Sequence, residues 1–125
     1  MHVLYIEDND GNARLLEKFF SINPAWRLTL AATAEDGLVL AQHAAPHLIL
    51  MDINLPGQSG IEALHELRAS PLTAAIPVLA ISADARPEYI ARVLEEGFDA
   101  YITKPLDLRA LEQTLVQYAP CAGEP

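Results

Sequence analysis

At 125 residues the chain can form one domain that folds alone and buries roughly two thirds of its unfolded surface. Its 51% hydrophobic and 20% charged residues place it with globular domains and exclude a disordered one. A net charge of −9 argues against a nucleic-acid surface, which needs basic patches to neutralise phosphates.

The first predicted strand, His2-Val3-Leu4-Tyr5-Ile6, stops at Glu7-Asp8. That interruption leaves too short an apolar stretch for a signal peptide, and no run of about 18 apolar residues exists to span a membrane. A helix follows, with Leu15, Leu16, Phe19 and Phe20 expected on one face; Glu7 and Asp8 would also suit its N-terminal end. Trp26 to Ala31 reads as a second strand. Thr33, with Asp36 three residues on, opens a helix through Leu40. His47-Leu48-Ile49-Leu50-Met51 is a short uninterrupted apolar run, the pattern of a parallel strand buried on both faces, and it closes at Asp52. A charge inside such a strand would be costly, so Asp52 belongs at its end.

Ser59-Gly60-Ile61-Glu62 has capping-box spacing, and Ile61, Leu64 and Leu67 mark a third helix stripe. Ile76 to Ile81 forms a fourth strand with Pro77 tolerated at its start. Pro87 suits a first helical turn, and Gly97 a C-cap. Ala100-Tyr101-Ile102 is a short fifth strand. Asp107 caps a last helix, with Leu108, Leu111, Leu115 and Tyr118 on its inner face. We expect one domain over residues 1–119 and an aperiodic C-terminal tail over 120–125. Cys121 is the single cysteine, which removes disulfides and cysteine metal sites and favours a cytoplasmic setting. His2, His43, His47 and His65 lack metal-ligand spacing and read as scattered, partly exposed residues.

Five strand–helix units in order imply an α/β fold, a doubly wound five-stranded parallel sheet with right-handed crossovers. In such sheets ligands bind beyond the carboxyl ends of the strands. There strand one offers Glu7 and Asp8, strand three Asp52, strand four Ser82, and strand five Lys104 just before Pro105. Three crowded carboxylates would repel one another and raise each other's pKa. A hard divalent cation relieves this, and Mg²⁺ prefers a few carboxylate oxygens with waters and a phosphate oxygen. One cation and one ammonium facing three carboxylates suit a site that receives a phosphoryl group on a carboxylate nucleophile.

The set Glu7-Asp8, Asp52 with Asn54-Leu55-Pro56-Gly57 and Gly60, Ser82-Ala83 and Lys104-Pro105 resembles the receiver domain of two-component response regulators, over about residues 2 to 118. Each motif alone is weak; their joint order and spacing carry the resemblance. It implies the flavodoxin-like (βα)5 strand order 2-1-3-4-5, for which flavodoxin and a chemotaxis receiver are standard examples. It further implies that Asp52 accepts a phosphoryl group from a histidine kinase or histidine phosphotransfer protein. Asp8, Asp52 and the Asn54 carbonyl would hold Mg²⁺, with Glu7 acting through bound water. Lys104 and Ser82 would contact the phosphoryl oxygens, and Ser82 with Tyr101 would switch the face of helix four, strand five and helix five. Asn54 and Asp84 occupy positions that tune phosphoryl lifetime in this family, here toward a short-lived phosphate. The resemblance also implies a downstream output domain or target and allows a phosphorylation-dependent dimer. It describes a signalling domain with self-catalysed phosphorylation and dephosphorylation rather than a conventional enzyme.

Two positions depart from the commonest family pattern, Glu7 for the usual Asp and Ser82 for the frequent Thr. A haloacid-dehalogenase-like phosphatase is the enzyme alternative, but it wants a second Asp where Asn54 stands, and a later acidic pair. A flavodoxin would carry a Ser/Thr/Gly-rich phosphate loop where Glu7-Asp8-Asn9-Asp10 would repel phosphate. A degenerate receiver acting only as a docking module is the third alternative, although every reactive position is filled.

Overall fold

The computed structural model describes residues 1–55 and 57–119; the expected tail 120–125 and Pro56 lie outside the described residues. Five strands alternate with five helices: β1 His2–Ile6, α1 Asp10–Ser21, β2 Arg27–Ala31, α2 Ala34–Ala44, β3 Leu48–Asp52, α3 Gly60–Ala69, β4 Val78–Ser82, α4 Pro87–Glu95, β5 Ala100–Thr103 and α5 Leu108–Val116. All pairings are parallel, in the order β2-β1-β3-β4-β5. This is the arrangement expected from the sequence.

The period-two pleat of the strands sorts the core into two layers. Val3 and Tyr5 of β1, Leu48 and Leu50 of β3, and Leu79 and Ile81 of β4 face Leu16, Phe19 and Phe20 of α1 and Leu111 and Leu115 of α5. The alternate residues Leu4, Ile6, Ile49, Met51, Val78 and Ala80 pack on the other side with Ala34 and Ala41 of α2, Ala63, Leu64 and Leu67 of α3, and Val93 of α4. β1, β3 and β4 are buried throughout, which is why they read as unbroken apolar runs rather than alternating ones.

Helix starts follow their caps. Thr33 accepts from the Asp36 N–H, Ser59 from the Glu62 N–H, and Asp107 from the N–H groups of Arg109 and Ala110. The box at Ser59 is half formed, because its hydroxyl donates to the Glu62 carboxylate instead of Glu62 reaching back to the Ser59 N–H. The first helix is capped by Asn9, which accepts from the Asn12 N–H at 3.0 Å, so Glu7 and Asp8 do not take that role. Several edges move by one to four residues. Trp26, Ile76 and Pro77 fall outside strands, Thr103 extends β5, and α2 runs on to Ala44. Leu15 is partly exposed although Leu16, Phe19 and Phe20 are buried, because four apolar residues exceed the stripe that one helix buries.

His2 departs from the expectation of partial exposure. It is buried at the start of the inner strand β1, with its ring in contact with Thr29 Oγ1 at 2.7 Å and with the Arg27 guanidinium. Burial, with the positive charge of Arg27 added, holds its pKa below the usual histidine value.

Candidate functional site

The sheet register brings the site together. Tyr5 pairs with Leu50, and Asp52 with Ile81, so the chain beyond β1 and the end of β3 lie side by side. Beyond β4, the Lys104 N–H donates to the Ser82 carbonyl at 2.9 Å, which extends the ladder to the end of β5. Adding two residues along the pleat to the inward residues Tyr5, Leu50 and Ile102 gives Glu7, Asp52 and Lys104. The Lys104–Pro105 peptide is cis.

Lys104 Nζ lies 3.0 Å from Glu7 Oε1 and 3.0 Å from Asp52 Oδ2. Asp52 Oδ1 accepts the Asn54 N–H at 2.9 Å. One oxygen each of Glu7, Asp8 and Asp52 falls within 4.8 Å of the others. Glu7 and Asp52 are buried, whereas Asp8 is exposed. Three hard oxygen donors this close, partly withdrawn from water, match in kind and number what a small divalent cation takes from a protein.

Burial favours the neutral form of both inner carboxyls. At Asp52 burial, reinforced by the neighbouring Glu7 carboxyl, raises the pKa despite the Asn54 N–H and Lys104. At Glu7 burial also acts upward, but contacts with Asp52, Lys104 and Tyr5 outweigh it and hold the group lower than normal. Burial works against the Lys104 ammonium, yet Glu7 and Asp52 together raise its pKa.

Gly60 explains how α3 can start so close to the acid. A Cβ there would sit 2.6 Å from the Asp52 carbonyl oxygen and 2.8 Å from Ile53 Cα. Both are backbone atoms, and the Gly60 N–H is tied to the Ile53 carbonyl at 3.0 Å. Only glycine permits that approach.

Ser82 and Tyr101 belong to the opposite side of the pleat. Ser82 is buried, and its hydroxyl accepts the Asp84 N–H at 3.2 Å. Tyr101 is half-buried against the layer containing α3 and α4, and its hydroxyl donates to the Asp84 carbonyl at 2.6 Å. Its ring meets Tyr89 edge-on, 6.4 Å between centroids. The half-buried Asp84 carboxylate is gripped by the Arg86 guanidinium at 2.7 Å, which lowers its pKa. Asp84 thus joins the Ser82 hydroxyl to Tyr101 through its backbone. The Asn54 side chain is exposed.

Two residues of the site were not singled out in the sequence. The Tyr5 hydroxyl donates to Glu7 Oε1 at 2.9 Å, and Asn12 Nδ2 donates to the same oxygen at 3.1 Å. The signal for Tyr5 was available: it stands two residues before Glu7 on a strand, hence on the same side. Asn12 offered none, because its contact depends on how α1 starts.

The family model described as the response regulator receiver domain matches residues 3–116. The chain belongs to the receiver domain family. Receivers similar to it occur both alone and within longer proteins. The sensor histidine kinase RcsC of Salmonella typhi is 33% identical over 120 residues, which are 95% of this chain and 12% of that protein. The polar-differentiation response regulator DivK of Brucella ovis is 32% identical over 116 residues, 93% of this chain and 94% of DivK. The receiver domain of sensor histidine kinase PA1611 from Pseudomonas aeruginosa PAO1 is 28% identical with a TM-score of 0.84, over 94% of this chain and 95% of that one. That structure is described with a magnesium ion coordinated in its active site cleft. The matches favour a receiver over the haloacid-dehalogenase-like phosphatase. No described helix is long and apolar enough to cross a membrane.

Proposed function

We propose that this receiver domain takes a phosphoryl group onto Asp52 from a phosphohistidine, on a histidine kinase or a histidine phosphotransfer protein. An Asp52 carboxylate oxygen bonds to phosphorus as the phosphorus–nitrogen bond breaks, and the electron pair leaves with the imidazole. The observation that carries this reading is the convergence of Asp52, Glu7, Asp8 and Lys104 at one rim. Asp52 is held there between two carboxylates and an ammonium.

The donor set fits Mg²⁺: the Asp8 and Asp52 carboxylates and the Asn54 carbonyl would hold it, with Glu7 acting through water. When bound, Mg²⁺ neutralises charge developing on the phosphoryl oxygens. The chain's own residues do the rest. Lys104, released from its pairing with Asp52, turns its ammonium to a phosphoryl oxygen, and the Ser82 hydroxyl donates to another. That donation draws Ser82 away from the Asp84 N–H and loosens the carbonyl that anchors Tyr101. The event at Asp52 thereby reaches α4, β5 and α5, where an output domain or target protein would read it. Asn54, two residues after the acceptor, and Asp84, two residues after the Ser82 hydroxyl, set how readily water removes the phosphoryl group. We place the domain in the cytoplasm, with dimerisation on phosphorylation as the alternative output.

Incubation with phosphoramidate and Mg²⁺ followed by intact-mass measurement tests this reading. A gain of one phosphoryl group is expected, absent with a chelator and absent in Asp52→Asn. No gain would show a degenerate receiver acting by docking alone; uptake elsewhere would contradict the assignment of Asp52.

A further inference from the structure

Glu7 is tied in a way that its expected role, acting through bound water, does not require. Its Oε1 accepts from the Tyr5 hydroxyl at 2.9 Å and Asn12 Nδ2 at 3.1 Å, and lies 3.0 Å from Lys104 Nζ. Its Oε2 takes the long 3.5 Å contact from the Asn9 N–H. One oxygen is thus saturated with donors and the other is only lightly held. Tyr5 is wholly buried between the sheet and α1. A phenol there needs a partner for its hydroxyl, and Glu7 supplies it. The strand geometry makes this specific: Tyr5 and Glu7 are two residues apart on one side of the pleat. The glutamate's extra methylene gives its carboxyl the length to turn back to that hydroxyl.

We propose that Tyr5 and Asn12 are positioning residues for the cation site, fixing the Glu7 carboxylate so that Oε2 is the oxygen it offers toward Mg²⁺ and its water. The inference rests on the reading of the site as a Mg²⁺-dependent phosphoacceptor. Groups that hydrogen-bond to a metal-binding carboxyl orient it, and losing one commonly costs about 10-fold or more in metal affinity. Because Glu7 would act through water, the expected loss stands at the lower end of that range. Glu7→Asp shortens the side chain by the methylene that reaches Tyr5. It should therefore uncouple the two positions.

The test measures Mg²⁺ affinity by titration calorimetry for the wild-type chain, Tyr5→Phe, Asn12→Ala, Glu7→Asp and the Tyr5→Phe/Glu7→Asp double variant. Intact-mass phosphoryl uptake from phosphoramidate is followed across a Mg²⁺ series in parallel. Tyr5→Phe removes one oxygen and keeps the ring, and Asn12→Ala removes the second donor from outside the core, so a folding failure in one leaves the other informative. The expected result is an affinity about 10-fold weaker in Tyr5→Phe and a few-fold weaker in Asn12→Ala. The uptake defect should shrink as Mg²⁺ is raised, and Tyr5→Phe should have no further effect in the Glu7→Asp background. Unchanged or tighter binding in both Tyr5→Phe and Asn12→Ala would overturn the inference. So would an equal loss from Tyr5→Phe in the Glu7→Asp background, which would show a packing effect. A wild-type chain that binds no Mg²⁺ would overturn the proposed function itself, and this inference with it.

Discussion

Replacing Asp52 should stabilise the metal-free protein, although it removes an ion pair. Asp52 lies 3.0 Å from Lys104 Nζ and within 4.8 Å of a Glu7 and an Asp8 oxygen. At an effective dielectric constant of about 20, the ammonium attracts Asp52 by about 5 kcal/mol, and each carboxylate repels it by about 3 kcal/mol. The exposed Asp8 must be discounted for solvent screening, so the charge terms come close to cancelling. The cost of burying the Asp52 charge then decides the sign. Asp52→Asn keeps the shape and the contact with Lys104, and we expect it to raise stability by about 1 kcal/mol at neutral pH. That corresponds to roughly 4 °C in Tm for a domain of this size.

The pH dependence follows from the raised pKa of Asp52. Native protein holds this proton more tightly than unfolded chain does, so wild-type stability falls as pH rises from 3.8, the unperturbed value, through the raised one. The advantage of Asp52→Asn should be full at neutral pH and close as pH drops toward that unperturbed value. Glu7 is present in both proteins and is lowered, so its contribution holds above its unperturbed 4.5 and is lost below its native value. Urea denaturation in chelator from neutral pH down to the unperturbed 3.8 provides the assay. Saturating Mg²⁺ should then reverse the order, because it stabilises wild type by mass action, by about 2.7 kcal/mol at a hundred times Kd. A metal-free Asp52→Asn that is less stable than wild type by 1 kcal/mol or more would refute the reasoning.

Lys104→Met leaves the two buried carboxyls without their shared counter-charge. It should cost about 2–4 kcal/mol in metal-free urea denaturation, with an increased share recovered by Mg²⁺. Gly60→Ala forces a methyl against the Asp52 carbonyl, so unfolding should be easier by about 1–3 kcal/mol, and slower phosphoryl uptake should accompany it in the mass assay. Asp84→Asn and Asn54→Ala should lengthen the phosphoryl half-life, read by mass after removal of the donor. A wild-type phosphate that survives for many hours would contradict the role given to these two residues.

Much of this site was legible because strand chemistry is local. An apolar run buried on both faces must end where a charge appears, and that rule placed Glu7 and Asp52 at strand ends; the parallel order of the strand–helix units put them, and Lys104 beyond the partly buried β5, at one edge of the sheet. The caps at Thr33, Ser59 and Asp107 were equally local, each a side-chain oxygen serving an N–H within three residues. What escaped was set by packing. Asn12 reaches Glu7 only because Asn9, not Glu7 or Asp8, starts α1. His2 is buried because β1 is an inner strand, flanked by β2 and β3, a property of strand order rather than of the residues beside it. The Arg86 grip on Asp84 and the thread from Ser82 to Tyr101 depend on a loop whose path no periodicity encodes.

A crystal structure with Mg²⁺ and beryllofluoride, which imitates a phosphoryl group on a carboxylate, tests the central claim most directly. The account expects beryllium on an Asp52 oxygen, Mg²⁺ held by Asp8 and Asp52, and Lys104 Nζ and Ser82 Oγ each on a fluoride. Beryllofluoride bound to another carboxylate, or Lys104 still paired with both acids beside an occupied site, would contradict it.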